Sequence, residues 1–198
     1  GSKDFNTFEI PSSGEVRTAE QLFVPMPEDN QDFHTVALSL SRSLPRGGSP
    51  DRSRLSKIVR FHRYEVAATK VEETTTEEGF AATRWRLRMG NDWTVPAVEL
   101  APANPRSTVL LVADVGRSQL ASQASKFLSE GKRVVAIDPF YFGESAISTR
   151  AALFALLVAA VGDRPLGIEA SQVAATAHWL KTERQSGPIT VVAIGPRS

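Results

Sequence analysis

Ile189-Thr190-Val191-Val192-Ala193-Ile194-Gly195-Pro196-Arg197-Ser198, the stretch that closes the sequence, determines how the rest of the chain is interpreted. Its first six residues are apolar or β-branched, and Gly195-Pro196 is a turn signal. A run of this kind predicts a strand buried on both faces, inside a parallel sheet that helices cover. We therefore expect an incomplete sheet, in which this strand has an unpaired flank.

Buried-type strands alternate with helices over the whole region that leads to this stretch. Strands are predicted at 108–113 and 133–138, and helices at 118–130, 151–161 and 166–185. This alternation predicts parallel strands joined by right-handed crossovers. Ser148 or Thr149 is the expected cap of the second helix. The apolar stripe expected on the third helix comprises Ala170, Val173, Ala174, Ala177 and Leu180.

The region before it is typical of antiparallel strands, predicted at 66–76, 80–89 and 93–100 with a hairpin turn at 90–92. Pro96 predicts a bulge or an unpaired side in the last of these strands. The predicted fold class is therefore α/β: parallel strands with flanking helices, preceded by an antiparallel region. Residues 55–198 form this domain, and residues 1–54 form an N-terminal appendage.

The appendage is predicted to contain a strand pair over 5–24, a helix to about residue 44 capped by Asp29 or Asn30, and a Pro/Gly-rich loop over 45–50. Basic residues dominate 42–63, where Asp51 is the only acid. A solvated helix face explains this charge better than a nucleic-acid surface, because no binding motif or aromatic stacking platform accompanies it.

Composition narrows the function classes. The chain has 198 residues, a formal net charge of +1 and no cysteine. Disulfides, cysteine zinc sites and a thiol nucleophile are excluded, and the charge favours neither nucleic acid nor a membrane as partner. The longest apolar run, 151–161, is shorter than the roughly 20 residues that a spanning helix needs. No targeting segment is recognisable, so the compartment stays unassigned. Neither a dinucleotide nor a phosphate-loop motif occurs, and no cofactor or metal is predicted.

Ligands of open α/β sheets gather at the carboxyl ends of the strands, which here are 114–116, 138–145 and 195–198. The order of these tips resembles an α/β-hydrolase of the acetyl xylan esterase and dienelactone-hydrolase branch, over about residues 55–198. Three segments carry the resemblance: 96–100, Asp138-Pro139 with Gly143-Glu144-Ser145, and the strand that ends at Gly195.

The resemblance implies roles for two loops. An oxyanion-hole amide is expected from Val115, Gly116 or Arg117, although family members often have His-Gly where this chain has Val115-Gly116. Asp138, Gly143 and Ser145 match a loop of the family that is more often structural than catalytic.

The nucleophile elbow has the pattern Gly-x-Ser-x-Gly, and counting from Gly195 puts Arg197 at its centre. Arginine cannot accept an acyl group, because it stays protonated, and Ser198 lies one position late. No acid or histidine follows, since the histidines are His34, His62 and His178.

Two interpretations stay open. The chain is either the first half of an esterase that acts on a carbohydrate ester and is inactive alone, or a catalytically silent binding module with Arg197 at the nucleophile position. In both, a companion polypeptide or self-association is expected to complete the sheet at 189–194.

Overall fold

The computed structural model describes residues 16–44, 51–147, 149–185 and 187–196. The chain divides into two compact units, Gly1–Ser49 and Pro50–Ser198. This division precedes the predicted boundary at 54/55, because helix α3 (Arg52–Val59) packs on helix α6 (Pro165–Thr182) of the second unit. Residues 51–54 therefore belong to the main domain.

The first unit is helical where it is described, with α1 at Ala19–Leu22 and α2 at Phe33–Ser43. The strand predicted over 15–24 is wrong from residue 16 onward. Thr18 and Gln21 form a capping box, in which each side chain bonds the other residue's backbone amide and starts α1. Residues 1–15, with the first strand of the predicted pair, and the loop 45–50 lie outside the described residues.

Helix α2 begins later than predicted. Asp32, and not Asp29 or Asn30, is the N-cap, and its Oδ1 accepts a hydrogen bond of 2.6 Å from the amide of Thr35. That hydrogen bond lowers the pKa of Asp32 below its ordinary value, because it stabilises the charged carboxylate.

The second unit contains a six-stranded mixed sheet in the order β1-β2-β3-β5-β4-β6. The pairs β1–β2, β2–β3 and β3–β5 are antiparallel, whereas β5–β4 and β4–β6 are parallel. The predicted α/β class with an antiparallel region is confirmed. The strands are β1 (Val66–Thr75), β2 (Ala81–Met89), β3 (Trp93–Ala101), β4 (Thr108–Ala113), β5 (Arg133–Ile137) and β6 (Ile189–Ile194).

Both faces of the sheet carry helices. Helix α6 covers one face through Trp179 and Leu180, and α4 (Ala121–Ser129) covers the other through Ala124 and Leu128. Helix α5 (Ala151–Ala160) has Arg150 at its N-cap, without a side-chain cap. The expected cap by Thr149 is therefore wrong, and Ser148 lies outside the described residues. In the described part of the chain no single helix could span a membrane, and α5 and α6 pass that test only as a pair bent by 83°.

The buried face of α6 is not the predicted stripe. Of that stripe only Leu180 is buried, and Ala174 is exposed. Polar side chains can lie on the buried face because each of them forms hydrogen bonds. Gln172 Oε1 accepts a hydrogen bond of 2.7 Å from the amide of Phe140, and the Thr176 hydroxyl donates one of 2.9 Å to the Gln172 carbonyl. The buried residues are Gly167, Ile168, Ser171, Gln172, Ala175, Thr176, Trp179 and Leu180.

Within the part of the chain that the structure describes, strand β6 lies at the edge of the sheet and β4 is the one strand with which it pairs. The predicted burial on both faces is therefore wrong, and Val191 is 49% exposed. A groove of about 450 Å³ runs between β6 and α6, and its lining includes Val173 and Ala177 of α6 and Val191 and Ala193 of β6. The opposite edge, β1, is charged: Lys70 lies 2.5 Å from Glu73.

Candidate active site

The parallel strands place three loops side by side. Asp114, Asp138 and Gly195 directly follow β4, β5 and β6, and β4 lies between the other two strands. These loops lie at the carboxyl ends of the parallel strands, where open α/β sheets bind their ligands. The described residues of the predicted site therefore lie at one end of the sheet.

Asp138 connects two of these loops through its buried carboxylate, which is 1% exposed. Oδ1 accepts the amide of Arg117 at 2.7 Å, and Oδ2 accepts the Arg117 guanidinium and the amide of Glu144, the latter at 3.1 Å. The Ser145 hydroxyl donates to the Asp138 carbonyl at 2.8 Å. Arg117 also reaches the exposed Glu144 carboxylate at 2.8 Å. One acid thus holds the β4 and β5 loops together.

Gly116 and Gly143 allow the two loops to approach each other. Both adopt positive φ angles, +85° and +46°, which favour glycine. A Cβ atom at Gly143 would lie 2.5 Å from Cγ of Asp138, and one at Gly116 would overlap the backbone of Gly143. The contact between the loops therefore depends on the absence of both side chains.

Two of the three backbone amides in the expected oxyanion loop already donate hydrogen bonds within the protein. The Arg117 N–H is bonded to Asp138, and the Gly116 N–H donates to the Ala113 carbonyl at 2.9 Å. Within the described residues the amide of Val115 has no such partner, and its side chain is exposed. Of the three amides, that of Val115 is therefore the one without a backbone acceptor among the described residues.

The β6 loop begins with Gly195, whose φ of +118° and tight contact with Asp114 exclude a side chain. A Cβ at Gly195 would lie 2.5 Å from Cγ of Asp114. Arg197 and Ser198, the predicted elbow positions, lie outside the described residues, so their roles stay predictions.

The second unit's histidines do not contact these loops in the described structure. His62 Nε2 lies 2.7 Å from Asp163 Oδ1 in the turn between α5 and α6, and His178 lines a groove with Tyr64 and Trp179. Burial raises the pKa of Tyr64. No cluster of three or more His, Asp or Glu side chains suited to a metal ion occurs among the described residues.

Sequence reasoning missed a buried charge cluster at the other end of the sheet. Glu99, which is 2% exposed, accepts Trp85 Nε1 at 2.8 Å and lies 3.2 Å from Arg133 Nε. Arg184 Nη2 reaches the same carboxylate at 3.1 Å. The only signal was a glutamate within an apolar strand, because its partners lie far away in sequence. Its distance from the strand tips makes this cluster structural.

We predict that Asp138→Asn lowers the free energy of unfolding by about 2 kcal/mol, because an amide group would face the Arg117 and Glu144 donors that the carboxylate now accepts. Urea unfolding followed by tryptophan fluorescence measures this change. Glu144→Gln is the control, since Glu144 is 68% exposed and its loss is expected to cost less than about 0.5 kcal/mol. Equal stability of Asp138→Asn and the wild type would contradict the role of Asp138 as a connector.

Comparison with solved structures shows an α/β-hydrolase-like fold. A presumed acetyl xylan esterase from Bacteroides fragilis matches 84% of this chain with a TM-score of 0.65 and 18% identity. A methylesterase matches 72% with a TM-score of 0.53 and 14% identity. The chain spans 56% and 33% of the lengths of these two structures. No protein-family model and no curated protein matches the sequence.

Proposed function

We propose that these residues form the first half of an esterase-type α/β-hydrolase domain that acts on a carbohydrate ester and is inactive without the rest of its sheet. The observation that carries this proposal is the structural likeness to esterases, which covers most of this chain but only part of theirs. The grouped strand tips and the uncommitted amide of Val115 support it, because an acyl-transfer site needs such a donor beside its nucleophile.

Ester hydrolysis of 4-nitrophenyl acetate tests the proposal. We expect no turnover above buffer for the 198-residue chain, and turnover for a polypeptide in which downstream sequence completes the sheet. Loss of that turnover in Ser198→Ala would assign the nucleophile to Ser198, and retention would exclude this residue. Turnover by the 198-residue chain itself would refute the half-domain proposal.

A catalytically silent binding module is the second candidate, favoured by Arg197 at the centre of the predicted elbow. This candidate predicts that the completed protein binds acetylated xylan without hydrolysing it. Hydrolysis of the same ligand would exclude the silent module.

The completing polypeptide is proposed to dock on β6. Among the described residues, no second strand pairs with the flank of β6 opposite β4, and the exposed Val191 and Ala193 continue into the apolar groove beside α6. An apolar edge of this kind is a template for another strand. Either a companion polypeptide or a second copy of the chain would cover it.

We expect the isolated chain to self-associate as its concentration rises, and Val191→Lys to weaken this association by placing a charge at the apolar edge. Sedimentation velocity measures both effects. Val71→Lys is the matched control on β1, the opposite edge, where Val71 is also exposed. A monomer at every concentration, or an equal effect of the two substitutions, would contradict docking at β6.

A further inference from the structure

A groove of about 540 Å³ lies on the α4 face of the sheet, over β2 and β3. Its lining is mostly apolar and includes Pro96, Val98 and Leu100 of β3, with Ala121 and Ala124 of α4. Its volume lies within the range of small-ligand sites, in which a few polar groups orient an otherwise apolar ligand. We call it the Arg86 groove after one of the three arginines that line it.

Arg86 is the arginine of this groove that could pair with a ligand. Its neighbours in the sheet are Thr69 on β1 and Pro96 on β3, which are both neutral. Among the described residues its guanidinium has no hydrogen-bond or ion-pair partner. The two other arginines of the lining are engaged, because Arg84 lies 3.1 Å from Glu72 and Arg117 binds Asp138.

The charge balance selects the ligand class. The lining contains Arg84, Arg86 and Arg117 against Glu144, and Glu144 is already paired with Arg117. One free guanidinium matches one anionic group, whereas a polyanion would need several. The planar guanidinium fork binds a carboxylate with two parallel hydrogen bonds. The apolar walls require an apolar body next to that carboxylate.

We propose that the Arg86 groove binds an organic carboxylate with an apolar body, with the carboxylate on Arg86 and the body between Pro96, Val98 and Ala121. The site lies on a face of the sheet and requires no chemistry at the strand tips. It therefore stands or falls independently of ester hydrolysis.

Titration of the 198-residue chain with 4-phenylbutyrate, followed by calorimetry and by backbone amide NMR shifts, tests the proposal. We expect a dissociation constant of about 1 mM, given the small number of ligand atoms. The neutral amide of the same acid is expected to bind at least about tenfold more weakly, because it cannot form the charged pair. Shifts should concentrate on β2, β3 and α4.

Arg86→Gln and Arg88→Gln form a matched pair for the charge. Both residues point from the same face of β2, but Arg88 is outside the groove and bonds Asn91 at 3.1 Å. Arg86→Gln is expected to weaken binding at least about tenfold, and Arg88→Gln to leave it unchanged. Ala121→Phe fills the apolar end and is expected to abolish binding with Arg86 intact. Circular dichroism verifies that each variant is folded.

Three results would overturn the proposal. Binding of the amide as tight as that of the acid would remove the role of charge. Equal weakening in Arg86→Gln and Arg88→Gln would reduce the effect to general surface charge. Absence of saturable binding at about ten times the expected dissociation constant would exclude the site.

Discussion

Glu99→Gln is expected to lower the free energy of unfolding of the second unit by about 3 kcal/mol, because it leaves arginine charges without their buried counter-ion. Glu99 is 2% exposed and meets Arg133, Arg184 and Trp85 within 3.2 Å. Substitution by glutamine preserves the shape of the side chain, removes its charge and replaces one acceptor oxygen by an NH2 donor. The large expected effect comes from the stranded cations, since an intact buried pair adds little net stability.

The control for this substitution is Glu72→Gln. Glu72 also pairs with an arginine on the sheet, Arg84 at 3.1 Å, but is 47% exposed. Its removal is expected to cost less than about 1 kcal/mol, because solvent screens exposed ion pairs. Urea unfolding measured by tryptophan fluorescence reports on the second unit alone, since Trp85, Trp93 and Trp179 all belong to it. Equal losses in the two variants would contradict the importance of burial.

Gly167→Ala is expected to lower the free energy of unfolding by about 3 kcal/mol through overpacking between α3 and α6. Gly167 lies in the first turn of α6, where a Cβ atom would overlap the Val59 carbonyl oxygen and approach the Arg60 carbonyl oxygen to 2.8 Å. Alanine favours a helix over glycine by only about 1 kcal/mol, so the steric cost determines the sign.

Gly187→Ala is the control for Gly167→Ala, because its Cβ would meet nothing closer than the Arg106 carbonyl at 3.6 Å. Its stability is expected to change by less than about 0.5 kcal/mol. Limited proteolysis at the basic residues of α3 distinguishes detachment of this helix from global unfolding. Wild-type stability and protease resistance in Gly167→Ala would show that α3 does not need this close contact.

The strands were largely predictable from the sequence, because apolar runs and alternation are local signals. The hairpin turn predicted at 90–92 likewise occurs in the structure. The buried face of α6 was not predictable in this way. Gln172 and Thr176 are polar residues whose burial depends on partners that only the fold brings close.

The candidate site was likewise predictable only in part. Its position followed from the order of strand tips, whereas its internal bonds did not. Asp138 and Arg117 are 21 positions apart, and no local pattern links them. The start of α5 at Arg150, which has a φ of +57°, also lacks the usual capping signal.

The two edges of the sheet differ in a way that limits how far copies of the chain could assemble. If two copies paired through β6 about a twofold axis, the apolar edge of each copy would be covered by the other. The outer margins would then be two β1 strands, which carry Lys70, Glu72 and Glu73. Such charged margins resist further strand addition. Association of copies through their sheets would therefore stop at a dimer and would not continue into a fibril.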